Sequence, residues 1–377
     1  MKLIKQAKIY SPAYLGVKDI LIGAGKILAI EDQINIDLKL VEIFDASDKL
    51  VVPGLIDQHI HLTGAGGNHS FASMTSELQI SELIACGTTT VVGLLGTDGT
   101  TRSLESLYAK VKALEQQGIS GYMFSNYYGL PTITLMDSIK DDMVFIDKVI
   151  GCKIAISDVR SSYPSDQELL RILTQIHVGG LLAGKGGILH VHLGGLNTGM
   201  NQLMDLVNKY NFPIKYISPT HVGRSKPLFE QAIEFAKMGG MIDITTGASK
   251  YDEPYKQVLY ALESGASIDQ MTFSSDGNAG LSKIDSNGCQ VLFKAPIDQN
   301  LAQVKLLIKN GGLHISEAIK LITSNPAKNL SLNHKGKIEV GADADFCFFN
   351  DELDLLEVIA KGKLMMVDGK TLPFNEV

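Results

Sequence analysis

Cysteine is scarce in this sequence, and its four cysteines stand far apart without any CxxC pair: Cys86, Cys152, Cys289 and Cys347. This spacing suggests neither a disulfide framework nor a cysteine-based zinc site. We expect these residues to be small, buried, apolar side chains.

Long apolar runs and basic clusters are also missing. No apolar run reaches the roughly 18 residues of a membrane-spanning helix, and the amino terminus lacks a compact apolar segment with a cleavage site. The formal charge is −7, with lysine and arginine scattered along the chain. We therefore expect a cytoplasmic protein that acts on small molecules, with neither a membrane nor a nucleic acid as partner.

The two ends of the 377-residue chain share a pattern of short strand-like segments separated by turns. It is seen in "GVKDILIGAGKILAIED" near the start and in "LLEVIAKGKLMMVDGK" near the end. Such patterns predict β structure with Gly and Asp at the turns. We predict one composite β domain from residues 1–52 and 336–377, and a second domain over residues 53–335.

Eight strand-like runs alternate with amphipathic helical segments between these ends. The runs are "LVVPGLIDQHIH", "GTTTVVGLLG", "GISGYMFSNYY", "GCKIAIS", "GILHVHLG", "IKYISPTH", "GMIDITT" and "MTFSSDG". This alternation predicts an α/β protein, either a (β/α)8 barrel or a doubly wound open sheet. Polar residues gather at the carboxyl ends of the runs, where barrel enzymes place their active sites, and this favours the barrel.

The first run ends with His59 and His61, separated by Ile60. Successive side chains of a strand point to opposite faces, so the two imidazoles share one face. They could bind a metal ion, or they could be partly exposed histidines bonded to nearby carbonyl groups.

Three more candidate ligands follow later strands. His192 lies in "GILHVHLGG", where His190 shares its strand face, and His221 ends "YISPTH". Asp276 lies in "SSDGN", where Asp followed by Gly is also typical of a turn. Each residue alone could have a structural role, and their occurrence together favours a metal site.

Lys153 lies among apolar residues in "IGCKIAIS". Its ammonium group could reach solvent while the stem is buried. If the head is buried, the neutral amine is favoured, and this amine can react with carbon dioxide. The resulting carbamate is an anion with two oxygens, so it could bridge two divalent cations. Four histidines, one carbamate and one aspartate suit two zinc-like ions that share a hydroxide.

Several of these segments resemble those of a known family. The motifs "PGLIDQHIHL", "GTTTVVGLLGTD", "IGCKIAISDVRS", "SPTHVGR" and "SSDGN" are similar to those of the isoaspartyl dipeptidases in the amidohydrolase superfamily. The resemblance extends almost end to end. It implies a TIM-like (β/α)8 barrel of the metal-dependent amidohydrolase type, with a small β-sandwich domain formed by both termini. It also implies a homo-oligomer.

The resemblance implies roles for individual residues. His59 and His61 would bind one metal ion, and His192 and His221 the other. N6-carboxylated Lys153 would bridge the two ions, which we expect to be Zn²⁺, and Asp276 would be both ligand and base. Tyr128 would donate a hydrogen bond to the oxyanion. The implied substrate-binding residues are Asn68, Thr97, Arg160 and Arg224.

Two positions depart from the family pattern. Asn68 stands where the family has a glutamate for the substrate α-ammonium group, and Gly280 stands where the family has a serine. An amide oxygen accepts a hydrogen bond from an ammonium group without the strength that a negative charge adds.

The leading interpretation is metal-dependent hydrolysis of the amide bond in β-aspartyl dipeptides or related small acidic amides. Hydrolysis of a cyclic amide or of an N-acyl amino acid is the alternative within the superfamily. A non-catalytic barrel scaffold is the alternative outside enzymes, and the full ligand set argues against it.

Overall fold

The computed structural model describes residues 1–37, 39, 41–66, 70–248 and 251–374. In chain order the strands are β1 (Lys2–Tyr10), β2 (Tyr14–Gly23), β3 (Lys26–Glu31), β4 (Glu42–Asp45), β5 (Leu50–Pro53), β6 (Leu55–Ile60), β7 (Thr88–Gly93), β8 (Ser120–Ser125), β9 (Val149–Ile156), β10 (Ile188–Leu193), β11 (Ile217–Thr220), β12 (Ile242–Thr245), β13 (Met271–Ser274), β14 (Gly280–Ile284), β15 (Gln290–Lys294), β16 (Phe346–Phe349), β17 (Leu355–Ala360), β18 (Lys363–Val367) and β19 (Lys370–Thr371). The α-helices are α1 (Ile80–Ala85), α2 (Leu104–Gln117), α3 (Ile139–Phe145), α4 (Asp166–Ala183), α5 (Asn201–Asn208), α6 (Lys226–Lys237), α7 (Pro254–Glu263), α8 (Gln299–Lys309), α9 (Ile315–Ala318) and α10 (Ser324–Asn329).

The eight strands β6 to β13 form one sheet in sequence order, and every neighbouring pair is parallel. A bridge between Ile60 and Gly277 links the first strand to the segment after the last one, so the sheet is nearly closed. Helices separate the strands along the chain. Strands buried on both faces form the continuous apolar runs from which the sequence predicts them. The predicted barrel fold is confirmed.

The terminal strands form a second sheet of nine strands, in which β5 and β16 join the two ends of the chain. Val52 pairs with Cys347 in this antiparallel contact. The sheet has its own core, which contains Ile4, Val51 and Phe346. The expectation that both termini contribute to one β unit is confirmed, while the boundaries at residues 52 and 336 stay predictions.

Gly54 divides what the sequence predicts as one strand. A Cβ atom here would lie 2.1 Å from Oγ1 of Thr89 and 2.8 Å from Cβ of Asp345, so only glycine allows this approach. β5 before Gly54 joins the terminal sheet, and β6 after it joins the barrel.

A buried ion pair connects the two units. Nζ of Lys335 lies 2.5 Å from Oδ2 of Asp345 and 2.7 Å from Oδ2 of Asp343, and it donates to Oγ of Ser120 in β8. The lysine is 6% exposed. Its charge is matched by two carboxylates, as burial of an ammonium group requires.

The prediction of buried cysteines is wrong for Cys289. It is exposed beside the turn between β14 and β15, a hairpin that pairs with no other described strand. Cys86, Cys152 and Cys347 are buried as expected. Among the described residues, no helix combines the length and hydropathy of a membrane span. The cytoplasmic location stays a prediction.

Candidate functional site

His59, His61 and Asp276 meet at the carboxyl end of the barrel. His59 is the penultimate residue of β6, His61 follows that strand, and Asp276 follows β13. Oδ1 of Asp276 lies 3.3 Å from Nε2 of His59 and 3.2 Å from Nε2 of His61. All three side chains are buried. The structure thus brings the HxH pair and the aspartate into one cluster.

Lys153 reaches the same cluster from β9, a strand whose eight residues are all buried. Its Nζ lies 3.4 Å from Nδ1 and 3.4 Å from Nε2 of His59. Burial lowers the pKa of Lys153 to about 7, so a large share of the side chain is a neutral amine near neutral pH. The alternative in which the ammonium group of Lys153 reaches solvent is wrong, since the residue is 0% exposed.

His221 and His192 lie beside this cluster, with the ring centroids of His59 and His221 4.9 Å apart. His221 follows β11 in the left-handed region with φ of 63°, and its Nδ1 lies 2.6 Å from Oγ1 of Thr245. The ring centroids of His192 and His221 are 4.5 Å apart. Nδ1 of His192 lies 2.6 Å from the Tyr128 hydroxyl, and Nε2 lies 2.9 Å from Oδ2 of Asp158. His192 must exchange one of these contacts to bind a metal ion.

The donor set fits divalent cations. His59, His221 and Asp276 each offer a ligand atom, and these atoms lie within 4.8 Å of one another. Nε2 of His221 and Nδ1 of His61 are buried without a hydrogen-bond partner among the described residues. Such orphaned nitrogens are costly unless they bind something. Imidazole nitrogen and carboxylate oxygen are ligands that zinc accepts.

The protonation states also suit metal binding. Burial lowers the pKa of His59 to about 3, and it holds the pKa values of His192 and His221 well below the usual range. These imidazoles are therefore neutral and able to coordinate. Burial opposes ionisation of Asp276, but His221, His59 and His61 around it hold the pKa of its carboxyl well below the usual value. Asp276 is thus an anion.

His190, the other histidine of the second HxH pair, has a different position. Its Nε2 lies 2.9 Å from Nδ1 of His59, and its Nδ1 lies 3.3 Å from Oγ of Ser218. It also lies near His59 and Asp243 in a second group of metal-binding residue types. The carboxylate of Asp243 already accepts hydrogen bonds from four side chains: Gln58, Thr220, Thr272 and Ser274. We therefore assign this group to internal hydrogen bonding.

A cavity of about 340 Å³ opens above the cluster. Its walls include His61, His192, Asp276 and Tyr128. Burial raises the pKa of Tyr128, so its hydroxyl stays protonated and can donate a hydrogen bond into the cavity. A hydrogen-bond donor therefore lies beside the candidate metal ligands.

The predicted substrate-binding residues Thr97, Arg160 and Arg224 also line this cavity. The guanidinium of Arg160 is held by Asp158, with Nη2 at 2.6 Å from Oδ2, and its Nη1 lies 3.4 Å from Oγ1 of Thr97. Nε of Arg224 is buried and has no hydrogen-bond partner in the described part of the chain. Asn68 lies outside the described residues.

The sequence interpretation missed two contributors to the site. Asp158 orients both His192 and Arg160, and Arg102 lines the cavity. The position of Asp158 two residues before Arg160 in "ISDVRS" was the available signal for this role.

The chain is similar to known proteins in both sequence and structure. A family model described as "Amidohydrolase family" matches residues 50–372. Over 99% of both chains, the structure is similar to the β-aspartyl dipeptidase of Fervidobacterium islandicum AW-1 in complex with a β-Asp-Leu dipeptide, with 43% sequence identity and a TM-score of 0.91.

More distant matches share parts of the sequence or the fold alone. A segment of 69 residues is 41% identical to a dihydroorotase of Staphylococcus epidermidis; it spans 18% of this chain and 16% of that relative. The dihydropyrimidinase of Brevibacillus agri NCHU1002 is 16% identical with a TM-score of 0.68, over 98% of this chain and 96% of that one. The last comparison supports the fold only.

Proposed function

Because this chain belongs to the amidohydrolase family and is therefore a metal-dependent hydrolase, we propose that it hydrolyses the amide bond of β-aspartyl dipeptides or closely related small acidic amides. One observation carries the proposal: a single cavity joins the ligand cluster to Tyr128, Arg160 and Arg224. The full-length similarity to a dipeptidase in complex with β-Asp-Leu supports the same substrate class.

The proposed centre would hold two divalent metal ions, which we take to be Zn²⁺. Its proposed ligands are His59, His61, His192, His221, Asp276 and N6-carboxylated Lys153, the last as the bridge. When bound, such ions supply an acidified water as nucleophile and polarise the scissile carbonyl group. The buried neutral amine of Lys153 and the orphaned nitrogen of His221 support this ligand set.

Asp276 is the proposed proton carrier. Its carboxylate accepts a proton from the attacking water and then delivers it to the nitrogen of the leaving amine. The position beside His59 and His61 supports this role, since the anion lies where the nucleophile would be held. The amide bond breaks as the leaving nitrogen receives the proton.

Tyr128 is the proposed oxyanion donor. Its hydroxyl points to His192 and borders the cavity, so a carbonyl oxygen placed above the cluster lies within its reach. As negative charge develops on that oxygen, the hydrogen bond from Tyr128 strengthens and stabilises the transition state.

Arg160 and Arg224 are proposed to bind the substrate carboxylates, with Thr97 as a neighbouring polar contact. A guanidinium forms paired hydrogen bonds with a carboxylate, and this geometry fixes the orientation of the bound molecule. The hydrogen bonds from Arg160 to Asp158 hold its side chain ready for this contact.

Hydrolysis of a substrate panel tests the proposed function. We would measure kcat/KM of the metal-loaded enzyme on β-aspartyl, α-aspartyl, N-acyl and cyclic amide substrates. The proposal predicts the highest value for a β-aspartyl dipeptide. A clear preference for another amide class would overturn the substrate assignment.

The second candidate is hydrolysis of a cyclic amide. The segment shared with a dihydroorotase is the observation that favours it. Ring opening would use the same nucleophile and base, and the product would stay one molecule instead of two. The cyclic substrates of the same panel test this alternative.

We also propose that the chain forms a homo-oligomer. Exposed apolar side chains support this proposal on the β14–β15 hairpin, where Ile284, Leu292 and Phe293 are 67%, 42% and 39% exposed. An exposed apolar patch of this kind is typical of an interaction surface. Light scattering on the purified protein would give the mass of the assembly, and a monomer would contradict the proposal.

A further inference from the structure

More positively charged than negatively charged side chains line the cavity. Three arginines are present, Arg102, Arg160 and Arg224, and the carboxylates among the described lining residues are Asp98 and Asp276. Asp276 is committed to the proposed metal centre. Among the described lining residues, Asp98 is therefore the carboxylate that is left for a positive group of a substrate.

The loop after β7 holds Asp98 in a fixed orientation. Its Oδ1 accepts hydrogen bonds from the backbone N–H groups of Thr100 at 2.9 Å and Thr101 at 2.8 Å, and its Oδ2 accepts one from the Thr101 hydroxyl. Partial burial opposes ionisation, but these hydrogen bonds and Arg102 lower the pKa of Asp98 below its usual value. The carboxylate is thus a preorganised anion on the cavity wall.

The neighbours of Asp98 match the head group of an α-amino acid. Asp98 follows Thr97, whose hydroxyl lies 3.4 Å from Nη1 of Arg160. Thr97 thus has an anion next to it in sequence and a cation next to it in space, and all three residues line the cavity. The aspartyl half of a β-aspartyl dipeptide carries its α-carboxylate and α-ammonium groups on one carbon atom, which requires this kind of adjacency.

We propose that Asp98 is a specificity-determining residue that receives the α-ammonium group of the substrate while Arg160 binds the α-carboxylate group. This inference rests on the proposed function, since it concerns the aspartyl half of the same dipeptide. It gives the ammonium group a charged partner on the cavity wall. A hydrogen bond between two charged groups is stronger than one between a charged group and an amide.

Two substrates that differ only in the ammonium group test the proposal. β-Aspartyl-leucine carries it, and N-succinyl-leucine has a hydrogen atom in its place. The expected result for Asp98→Asn is a fall in kcat/KM of about 10- to 100-fold on β-aspartyl-leucine, mainly through KM, with N-succinyl-leucine changed less than about 2-fold. The asparagine keeps an oxygen acceptor for the N–H groups of Thr100 and Thr101.

Asp45→Asn is the matched control. Asp45 also accepts hydrogen bonds from a nearby backbone N–H and hydroxyl, both of Ser47, but it lies in β4 of the terminal sheet. This variant is expected to have unchanged kcat/KM on both substrates. Asp98→Glu keeps the charge and displaces the carboxylate, and it is expected to lower the preference for β-aspartyl-leucine with N-succinyl-leucine unaffected. It preserves the test should Asp98→Asn fail to fold.

The outcomes separate the inference from the proposed function. Suppose that the wild-type enzyme prefers β-aspartyl-leucine and that Asp98→Asn lowers kcat/KM equally on both substrates. Asp98 then only shapes the loop, and the inference alone is overturned. An unchanged preference in that variant has the same meaning. If the wild-type enzyme hydrolyses neither substrate and acts on another amide, the proposed function and the inference fall together.

Discussion

Nζ of Lys153 lies 3.4 Å from both ring nitrogens of His59, and the two residues are 0% and 1% exposed. Burial disfavours a positively charged ammonium group there, and among the described residues no carboxylate lies in hydrogen-bond contact with it. The neutral amine resolves this conflict. Its reaction with carbon dioxide would convert the lysine into the anionic ligand that two cations require.

Removal of the Lys153 amine is therefore expected to remove the metal ions. We predict that Lys153→Ala loses bound metal and at least about 100-fold in kcat. A short carboxylic acid added to the variant is expected to restore part of both, because it can occupy the place of the carbamate. Elemental analysis and turnover measure the two effects, with Lys237→Ala as an exposed lysine control. Normal metal content and activity in Lys153→Ala would contradict the bridging role.

Asp276→Asn is predicted to stall turnover. The amide cannot accept the proton from the attacking water, so we expect kcat to fall by about 100- to 10,000-fold. Circular dichroism should show a native fold, because asparagine has nearly the same shape. Metal content should be measured alongside, with Asp269→Asn on the surface as the control. A near-normal kcat would mean that another group is the base.

Tyr128→Phe is predicted to lower kcat by about 100- to 1,000-fold with little change in KM, because the hydroxyl stabilises the transition state more than the bound substrate. The ring stays in place to pack beside His192, whose centroid is 4.3 Å away. Tyr127→Phe is the adjacent control. An effect confined to KM would show that Tyr128 binds substrate rather than stabilising the oxyanion.

His190 is predicted to tune metal affinity without touching the metal. Its contact with Nδ1 of His59 fixes the imidazole so that Nε2 faces the cluster. We expect His190→Ala to weaken metal binding by about 10- to 100-fold, with partial rescue in His190→Gln. Competition with a chelator measures the affinity. His177→Ala in α4 is the control, and equal affinities in all variants would contradict the prediction.

The ion pair between the two structural units predicts that the free energy of unfolding decreases at acidic pH. Burial opposes ionisation of Asp343, but Lys335 and Lys26 lower the pKa of its carboxyl below the usual value. A carboxyl with a lower pKa in the folded state stabilises the fold above its unfolded pKa of about 4, and this contribution is lost as the pH falls through the folded value. Asp343→Asn should therefore destabilise the protein at neutral pH and make its urea midpoint less dependent on pH below about 4. If the urea midpoint of Asp343→Asn depended on pH below about 4 as that of the wild type does, the account would be contradicted.

The sequence predicted the barrel strands well because parallel strands buried on both faces form apolar runs between turns. It also predicted that the candidate ligands lie close together, since the carboxyl ends of such strands converge. The division at Gly54 was not predictable, because it depends on Thr89 and Asp345, which approach only in the folded chain.

The supporting contacts were out of reach for a similar reason. The hydrogen bond between His190 and His59 joins residues that are 131 positions apart, and a strand pattern gives no sign of it. Whether His192 or His190 faces the cavity depends on the inclination of β10 in the closed sheet. A two-residue repeat places both histidines on the same face and does not distinguish them.

Titration of the metal-free enzyme with Zn²⁺ tests the central claim most directly. The protein would be stripped with chelator, and β-aspartyl-leucine hydrolysis would be measured together with bound metal as Zn²⁺ is added in the presence of bicarbonate. The account predicts that activity returns and saturates at about two bound ions per chain. Full activity in the stripped protein, or saturation of metal binding without any hydrolysis of the dipeptide, would contradict it.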